Sequence, residues 1–257
     1  MLGKFLPKRG FVQVWRRHFL VWSKSAVTSL IGTLGEPFLY LLGMGYGLGR
    51  FVGQIEEVDY LVYLTSGILA ASSMNTATFE ALYGGFTRMT RQNTFQAMLA
   101  TPLRVVDIVA GEVAWGATKS LISGVAIYFV GNLLGSIPSP TAFIVLPVVF
   151  LSGVVFTSMA LVVVALAPNY DFFLYYFTLV TTPMFLFCGV FYPVDSLPAT
   201  VQLVANMLPL AHVVAIIRPL TIGLPLENLL FHLIALFVYA TLTFFIAVQL
   251  LKKRLIV

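Results

Sequence analysis

The chain has 257 residues, of which 59% are hydrophobic and only 10% are charged, and its formal net charge is +5. A soluble domain carries about 25% charged residues, because its surface has to meet water. The composition therefore excludes a soluble globular protein and indicates an integral membrane protein. The single cysteine, Cys188, excludes an internal disulfide framework, and its apolar surroundings in the sequence predict a buried thiol.

Residues 1–25 are predicted to form a separate amphipathic unit ahead of the first long apolar run. Four aromatic residues share one helical face and three basic residues lie opposite: Phe11, Trp15, Phe19 and Trp22 against Arg16, Arg17 and Lys24. This pattern is typical of a helix lying in the membrane interface, with its cations towards anionic headgroups. Leu20 interrupts the polar face, and a disordered basic tail is the alternative. The length of the following apolar run predicts a retained helix and not a cleavable signal.

Residues 26–257 are predicted to form one all-α transmembrane domain. Six apolar segments reach the ~20 residues that a helix needs to cross ~30 Å of hydrocarbon. They lie approximately at Ala26–Gly49, Leu61–Tyr83, Ile108–Leu134, Ala142–Ala167, Phe172–Phe191 and Leu229–Leu251.

The stretch between the fifth and sixth segments contains two short apolar pieces, "ATVQLVANML" and "AHVVAIIR", separated by Pro209. Each piece is too short to span the membrane alone, which predicts a re-entrant or interfacial hairpin. Joined together, the two pieces could also form a seventh crossing.

The distribution of basic residues favours six crossings with both termini in the cytoplasm. Twelve of the fifteen Lys and Arg residues then lie inside: Lys4, Lys8, Arg9, Arg16, Arg17, Lys24, Arg88, Arg91, Arg104, Lys252, Lys253 and Arg254. Arg50 and Arg218 fall outside, and Lys119 lies within the third segment. The stretches predicted to lie outside the membrane on the outer side carry mainly carboxylates: Glu56, Glu57, Asp59, Asp195 and Glu227. This agrees with the positive-inside rule, whereas a seventh crossing would place the terminal "KKR" outside.

The stretch "GMGYGLG" (Gly43–Gly49) has alternating glycines but lies within the first apolar segment. The pairs Gly43/Gly47 and Gly45/Gly49 predict a flat face for close helix packing and not a nucleotide loop. The sequence contains no G-x-x-x-x-G-K-[ST] motif, so no cofactor or nucleotide is expected on this chain.

Few ionisable residues fall inside the apolar segments. Glu36 and Lys119 lie deep within them, and Glu80 and Glu112 lie near the predicted inner ends. A carboxylate at the bilayer centre costs about 2.5–3.5 kcal/mol, so Glu36 is expected to have a role as a proton relay or a partner such as a neighbouring arginine. We find neither paired catalytic carboxylates nor a Ser/His/Asp pattern in the sequence, and so predict no enzymatic activity.

Residues 84–107 form the largest predicted internal cytoplasmic loop. A short helix is predicted at Thr94–Ala100, ended by Thr101-Pro102 because proline disfavours helix at the preceding residue. Phe95, Met98 and Leu99 form an apolar stripe at helical spacing. So short a helix needs something to pack on, which by physics alone is either the bilayer or the groove of a cytoplasmic partner.

Five stretches of the sequence resemble the permease subunits of type-2 ABC exporters. They are "SSMNTATFEALYGGFTRM" (Ser72–Met89), "DIVAGEVAWGATKS" (Asp107–Ser120), "ALAPNYDFF" (Ala165–Phe173), "TPMFLFCGVFYPVDSLP" (Thr182–Pro198) and "MLPLAHVVAIIRPL" (Met207–Leu220). Within this family the chain is most similar to the branch that exports rhizobial nodulation factors, which are lipo-chitooligosaccharides. The resemblance covers nearly the whole chain, in the right order.

The resemblance implies that Thr94–Thr101 is a coupling helix that docks on a separate ATPase subunit, with Phe95, Met98 and Leu99 as the inserted face. The residues implied in coupling are Arg88, Arg91, Thr94, Phe95, Met98, Leu99, Thr101 and Pro102. Two copies of the permease would assemble with two ATPase subunits, which would hold the ATP and magnesium. Membrane lipids are the other expected partner, and no nucleic acid is expected.

The resemblance also implies a transport path flanked by the first and fifth segments, with the hairpin at about Ser196–Arg218 narrowing the external exit. The candidate path or gate residues are Glu36, Tyr40, Phe185, Phe191, Tyr192, Pro209 and His212. The implied function is ATP-driven export of an amphipathic lipid-linked or oligosaccharide-type substrate across the bacterial inner membrane. Three alternatives are an exporter of hydrophobic compounds, an ATP-independent carrier using Glu36 or Lys119, and a membrane-assembly factor.

Overall fold

The computed structural model describes residues 7, 9–55 and 57–256. Of the residues used above, Lys4, Lys8, Glu56 and the rest of segment 1–6 lie outside the described residues.

The described chain is mostly helical. Its helices are α1 (Gly10–Ser23), α2 (Ala26–Val52), α3 (residues 60–90), α4 (Thr94–Leu99), α5 (Val105–Leu133), α6 (Ala142–Leu166), α7 (Phe172–Phe187), α8 (Ala199–Met207), α9 (Pro209–Ile222) and α10 (Leu229–Leu255). Three of them contain π-helical stretches, at Leu41–Leu48 in α2, Glu80–Gly85 in α3 and Phe177–Thr181 in α7. The sequence did not predict the antiparallel pair of two-residue strands between α2 and α3, β1 (Gln54–Ile55) and β2 (Val58–Asp59).

Four described helices are long and apolar enough to cross a membrane, namely α2, α5, α6 and α10. A fifth candidate arises if the bent pair α8 and α9 counts as one crossing. Helix α7 has only 16 residues, and the hydroxyl and amide residues of "SSMNTAT" (72–78) make α3 less apolar than the other long helices. The membrane location is therefore clear, and six crossings stay a prediction.

Helix α6 lies at the centre of the bundle and packs against α3, α5 and α10. It contributes to two apolar clusters, one around Phe156 and Leu64, the other around Leu161 and Phe95. Between the helices, hydroxyl pairs replace some apolar contacts: the Oγ atoms of Ser73 and Ser152 lie 2.7 Å apart. In contrast α2 and α10 are mostly exposed, which places them at the periphery.

The glycines of α2 divide into two sets. A Cβ on Gly45 would overlap the Leu61 side chain, and a Cβ on Gly49 would lie 3.5 Å from Tyr60 Cδ1, so the predicted close packing is confirmed for this pair. For Gly43 and Gly47 close packing stays a prediction, because no described residue of this chain lies within 4 Å of a Cβ at either position.

Helices α8 and α9 meet at an angle of 87°, with Leu208 in an extended conformation at the break. The predicted break at Pro209 between two short apolar segments is therefore confirmed. Helix α9, however, continues beyond the predicted end of the hairpin to Ile222. Arg218, predicted to lie on the outer side at the end of the hairpin, is partly buried against α3. Its Nε donates to Ser66 Oγ at 3.0 Å, and its guanidinium lies 3.7 Å from the centre of the Tyr63 ring.

Helix α7 ends at Phe187, four residues before the predicted end of the fifth segment. The chain leaves the helix at Gly189, whose φ of +80° is one that residues with a side chain rarely adopt. Cys188 is 1% exposed at this turn, which confirms the prediction of a buried thiol.

Helix α1 packs lengthwise on the first turns of α5. Gly10 lies beside Asp107, Val14 beside Gly111, and Trp22 beside Lys119, so the contacts advance along both helices together. The most buried residues of α1 are Val14 and His18, and not the predicted aromatic face, of which Phe19 is 39% exposed. The packing follows from tertiary contacts that the amphipathic pattern alone does not specify.

Both described ends of the chain lie at the end of the bundle that carries α4. Gly10 adjoins the start of α5, which directly follows α4. At the other terminus, Arg254 donates to the carbonyl oxygens of Val164 and Ala165, at 2.8 and 3.1 Å, and thereby caps α6. Its guanidinium also lies 5.7 Å from the centre of the Phe86 ring.

Candidate functional site

A groove of about 510 Å³ lies between α2, α3, α5 and α7. Its lining combines residues that carry charged or amide groups with aromatic rings: Glu36, Asn75, Glu80 and Lys119, with Tyr40, Phe79, Tyr83 and Phe185. Such a mixture is unusual for a surface that faces only lipid, since ionisable groups are costly in hydrocarbon. The groove is therefore the candidate functional site.

Three of the residues predicted for the path line this groove, namely Glu36, Tyr40 and Phe185. The Glu36 side chain is exposed in it and, among the described residues, has neither an ion pair nor the arginine partner that the sequence suggested. Helix α2 holds Glu36 at the groove wall, and Pro37 follows it within the helix.

A cluster of three aromatic rings separates the groove from a second cavity of about 580 Å³. The ring centre of Phe185 lies 4.8 Å from that of Phe191 and 5.6 Å from that of Tyr40. Tyr40 and Phe185 belong to the walls of both cavities, and Tyr192 lines only the second. The structure thus brings five of the seven predicted path residues together.

The other two, Pro209 and His212, line neither cavity. Pro209 is buried at the start of α9, and His212 is 6% exposed, with its Nδ1 2.9 Å from Nδ1 of His232 on α10. The resemblance implied a path or gate role for both residues, but their side chains pack into the interior.

A buried ion network adjoins the groove at the end that carries α4. Arg88 of α3 donates to both carboxylate oxygens of Glu112 on α5, through Nε at 3.1 Å and Nη2 at 2.6 Å. Its Nη1 donates to Glu80 at 2.9 Å. Glu112 is 2% exposed, so this bidentate pair lies in the protein interior.

Residues from α1, α2 and α5 extend the network. His18 Nε2 of α1 lies 2.9 Å from Glu112 Oε1. Lys119 Nζ donates to Ser29 Oγ of α2 at 2.7 Å and lies 3.9 Å from Glu80 Oε2. Glu80 and Lys119 also line the groove, so the network and the groove share two side chains.

Sequence reasoning placed Arg88 in the coupling loop and missed this network. The spacing of Glu80 and Arg88 on one helix was visible in the sequence. Their partners come from helices whose neighbours the sequence does not specify.

Helix α4 is fixed to the rest of the chain by its apolar stripe. Phe95 is 0% and Met98 8% exposed, and both pack in the cluster around Leu161, so the predicted docking face lies against the chain's own bundle in this structure. Burying this apolar stripe stabilises the fold and leaves the opposite face of α4 exposed. Of the other residues predicted for coupling, Thr94 is buried, Leu99 is partly buried, and Arg91, Thr101 and Pro102 are exposed.

The exposed surface of α4 is polar or small, and it is presented rigidly. It comprises Gln96, Ala97 and Ala100, continued by Thr101 and Pro102. On one side Asn93, at a φ of 51°, turns the chain from α3 into α4. On the other, Asp107 accepts from the backbone N–H and the guanidinium of Arg104 and fixes the start of α5.

Comparison with known proteins gives a consistent result. The family described as ABC-2 type transporter matches residues 9–222. Nodulation protein J of Rhizobium meliloti (strain 1021) is 43% identical over 252 residues, covering 97% of this chain and 96% of that protein. Nodulation protein J of Rhizobium leguminosarum bv. viciae is 44% identical over 252 residues, covering 97% of each chain. The inner membrane transport permease YadH of Escherichia coli (strain K12) is 21% identical over 202 residues, or 79% of this chain and 78% of that one.

Proposed function

Because this chain belongs to the ABC-2 type transporter family, we propose that it is the membrane-spanning subunit of an exporter driven by a separate ATPase. The cargo is an amphipathic lipid-linked or oligosaccharide-type molecule, and the membrane is the bacterial inner membrane. The similarity to the Nodulation protein J chains over nearly their whole length supports a cargo of the lipo-chitooligosaccharide kind.

The observation that carries the proposal is the exposed face of α4. The sequence has no phosphate-binding loop, so the energy of ATP has to reach it from another subunit. A helix pinned by Phe95 and exposing Gln96 and Ala97 is a rigid surface on which such a subunit can push.

The groove supports an amphipathic cargo over a purely hydrophobic one. Moving a polar head through hydrocarbon without hydrogen bonds costs several kcal/mol for each group. Glu36, Asn75 and Lys119 offer hydrogen bonds to a hydroxyl-rich head, and the neighbouring cavity beyond Phe185 is lined mainly by apolar residues that suit an acyl chain.

The topology that we propose has six crossings, with α3 and α7 completing the set and both termini in the cytoplasm. The cytoplasmic side is the end that carries α4. Its support is the clustering there of the chain's described ends and of Arg88, Arg104 and Arg254, as the positive-inside rule requires. The permease functions as a dimer with two ATPase subunits.

The test is an arginine introduced on the exposed face of α4. Ala97→Arg leaves the buried stripe untouched but places a bulky charge on the docking surface. We expect the wild-type chain to copurify with a soluble subunit carrying a phosphate-binding loop, and Ala97→Arg to lose that subunit and the ATP turnover stimulated by cargo. The matched control is Thr200→Arg on exposed α8. Retention of the ATPase subunit by Ala97→Arg, or its equal loss in both variants, would contradict docking on α4.

A further inference from the structure

Another cavity, of about 290 Å³, lies between α1, α3 and α5 at the end that carries α4. Its lining includes two arginines, Arg17 and Arg88, one amide residue, Gln92, and two tryptophans, Trp22 and Trp115. Glu80 and Gly84 belong to the walls of both this cavity and the groove, but α1 contributes only to this one.

Arg17 is the cation in this cavity that lacks a partner. Its side chain is partly buried, and its guanidinium makes neither an ion pair nor a hydrogen bond with any residue that the structure describes. Burial and the neighbouring Arg88 guanidinium lower the pKa of Arg17. A guanidinium held close to another cation is stabilised by any anion that enters between them.

The surrounding charges leave a positive surplus. Three cations, Arg17, Arg88 and Lys119, face the two carboxylates of Glu80 and Glu112, so one positive charge is uncompensated when His18 is neutral. The guanidinium of Arg88 already donates hydrogen bonds to the two carboxylates. The guanidinium of Arg17 is therefore the group in this cavity that can bind an anion.

The cavity lies near the level of lipid headgroups. Helix α5 has 29 residues and is about 43 Å long at 1.5 Å per residue, so it exceeds ~30 Å of hydrocarbon by about 13 Å. The buried carboxylates of α5, Asp107 and Glu112, lie in its first eight residues, which places the surplus length at that end. Indole rings such as Trp22 are favoured at the same depth, with one edge in lipid and the other near water.

We propose that this cavity binds the phosphate of an anionic phospholipid from the same leaflet, held by the guanidinium of Arg17, with the glycerol and upper acyl region against Trp22. Guanidinium suits this ligand because its planar fork matches two phosphate oxygens at once. Basic pockets between helices on the cytoplasmic side are the expected location for anionic headgroups. Through Glu80 and Arg88 the bound lipid also contacts the ion network, so lipid composition would influence the helix ends next to α4.

The test compares two adjacent arginines of α1. Arg17 lines the cavity, whereas Arg16 is exposed on another side of the helix, so Arg16→Gln removes the same charge without altering the site. The full chain in neutral detergent is titrated with phosphatidylglycerol or phosphatidylcholine of identical acyl chains, and bound lipid is counted by native mass spectrometry. Thermal unfolding of each variant shows whether it is folded.

We expect one phosphatidylglycerol per chain to bind about tenfold more tightly than phosphatidylcholine, equivalent to about 1.4 kcal/mol. Arg17→Gln should remove this preference and Arg16→Gln should retain it. If Arg17→Gln unfolds, the comparison of Arg17→Lys with Arg16→Lys is the test. Only Arg17→Lys removes from the cavity a guanidinium that can bind two phosphate oxygens at once, so only this variant should bind phosphatidylglycerol more weakly. Equal effects at the two positions, absence of a preference for phosphatidylglycerol, or displacement of the lipid by inorganic phosphate at the same concentration as the lipid would each overturn the proposal.

Discussion

At the scale of single residues, two glutamates show that the same type of side chain can have opposite roles in one membrane protein. Glu112 is almost fully buried, and both of its oxygens accept from Arg88. Glu36 faces the open groove without an ion partner among the described residues. The first is held by the fold, and the second is available to a ligand.

Replacing Glu112 by glutamine should destabilise the protein. The substitution keeps the size but leaves Arg88 with only Glu80, and breaking a buried ion pair on one side costs about 3–5 kcal/mol. We expect a clearly lower unfolding temperature in detergent, and partial recovery in the double variant Glu112→Gln/Arg88→Gln. Glu227→Gln, at an exposed site, is the control and should unfold like the wild type. An unchanged unfolding temperature for Glu112→Gln would refute the structural role of the pair.

The substitution Glu36→Gln should affect transport. Its unfolding free energy should stay within about 0.5 kcal/mol of the wild-type value, as is usual for exposed positions. The lost carboxylate removes a strong acceptor for the hydroxyl groups of the cargo. Reconstituted with the proposed ATPase subunit, Glu36→Gln should show basal ATP turnover equal to the wild type and cargo transport reduced about tenfold, the effect of ~1.4 kcal/mol. Undiminished transport would remove Glu36 from the path.

The residue scale also shows where sequence reasoning ended. The scarcity of charge inside the apolar segments drew attention to Glu36, Glu80 and Lys119, and all three line the groove. The contact of Glu112 with His18 could not be predicted, because it joins residues 94 positions apart on helices of unknown adjacency. The expected arginine was present, but its partners are Glu112 and Glu80 instead of Glu36.

At the scale of elements, α4 illustrates a general ambiguity of amphipathic patterns. The stripe of Phe95, Met98 and Leu99 correctly indicated a short helix with one buried side. The pattern does not say whether that side is covered by another protein, by lipid or by the chain itself. Here the cover is the chain's own bundle, so the surface left for a partner is the complementary one.

Truncating Phe95 should therefore damage the fold before it affects docking. Phe95→Ala removes a fully buried ring and should cost about 3–5 kcal/mol of unfolding free energy. The matched control is Gln96→Ala, one residue away and exposed, which should unfold at the wild-type temperature. If Phe95→Ala instead remained as stable as Gln96→Ala and lost only the ATPase subunit, the side chain would be part of the docking surface after all.

At the scale of the whole molecule, two peripheral helices expose very different surfaces. Helix α10 presents a continuous apolar face of large side chains such as Phe237 and Leu242. Helix α2 exposes Gly43 and Gly47, with open space above them, and borders the groove through Glu36. Large side chains suit lipid, whereas small residues allow a second helix to approach closely.

We therefore expect the proposed dimer to form through α2. Gly43→Trp fills the open space and should convert the purified dimer largely into monomer, as measured by light scattering in neutral detergent. Leu242→Trp places the same ring on the exposed face of α10 and should leave the dimer intact. The reverse pattern would place α10 at the interface and the groove away from it.

Composition and hydropathy predicted most of the architecture at this scale. The positions of the long helices and the break at Pro209 followed from apolar runs and from proline chemistry. The end of α7 could not be predicted from hydropathy, because it depends on the positive φ of Gly189. The lengthwise packing of α1 on α5 could not be predicted either, since Gly111 is one of many small residues and only the assembled helices show that Val14 lies against it.

The ion network finally has a consequence for the order in which the chain is made. Glu112 follows Arg88 by 24 residues, so the ribosome delivers the arginine before its main partner exists. Until α5 is inserted, Arg88 can pair with Glu80 but lacks Glu112, its bidentate partner. We therefore expect a nascent chain that stops before Glu112 to insert less stably than one that includes it.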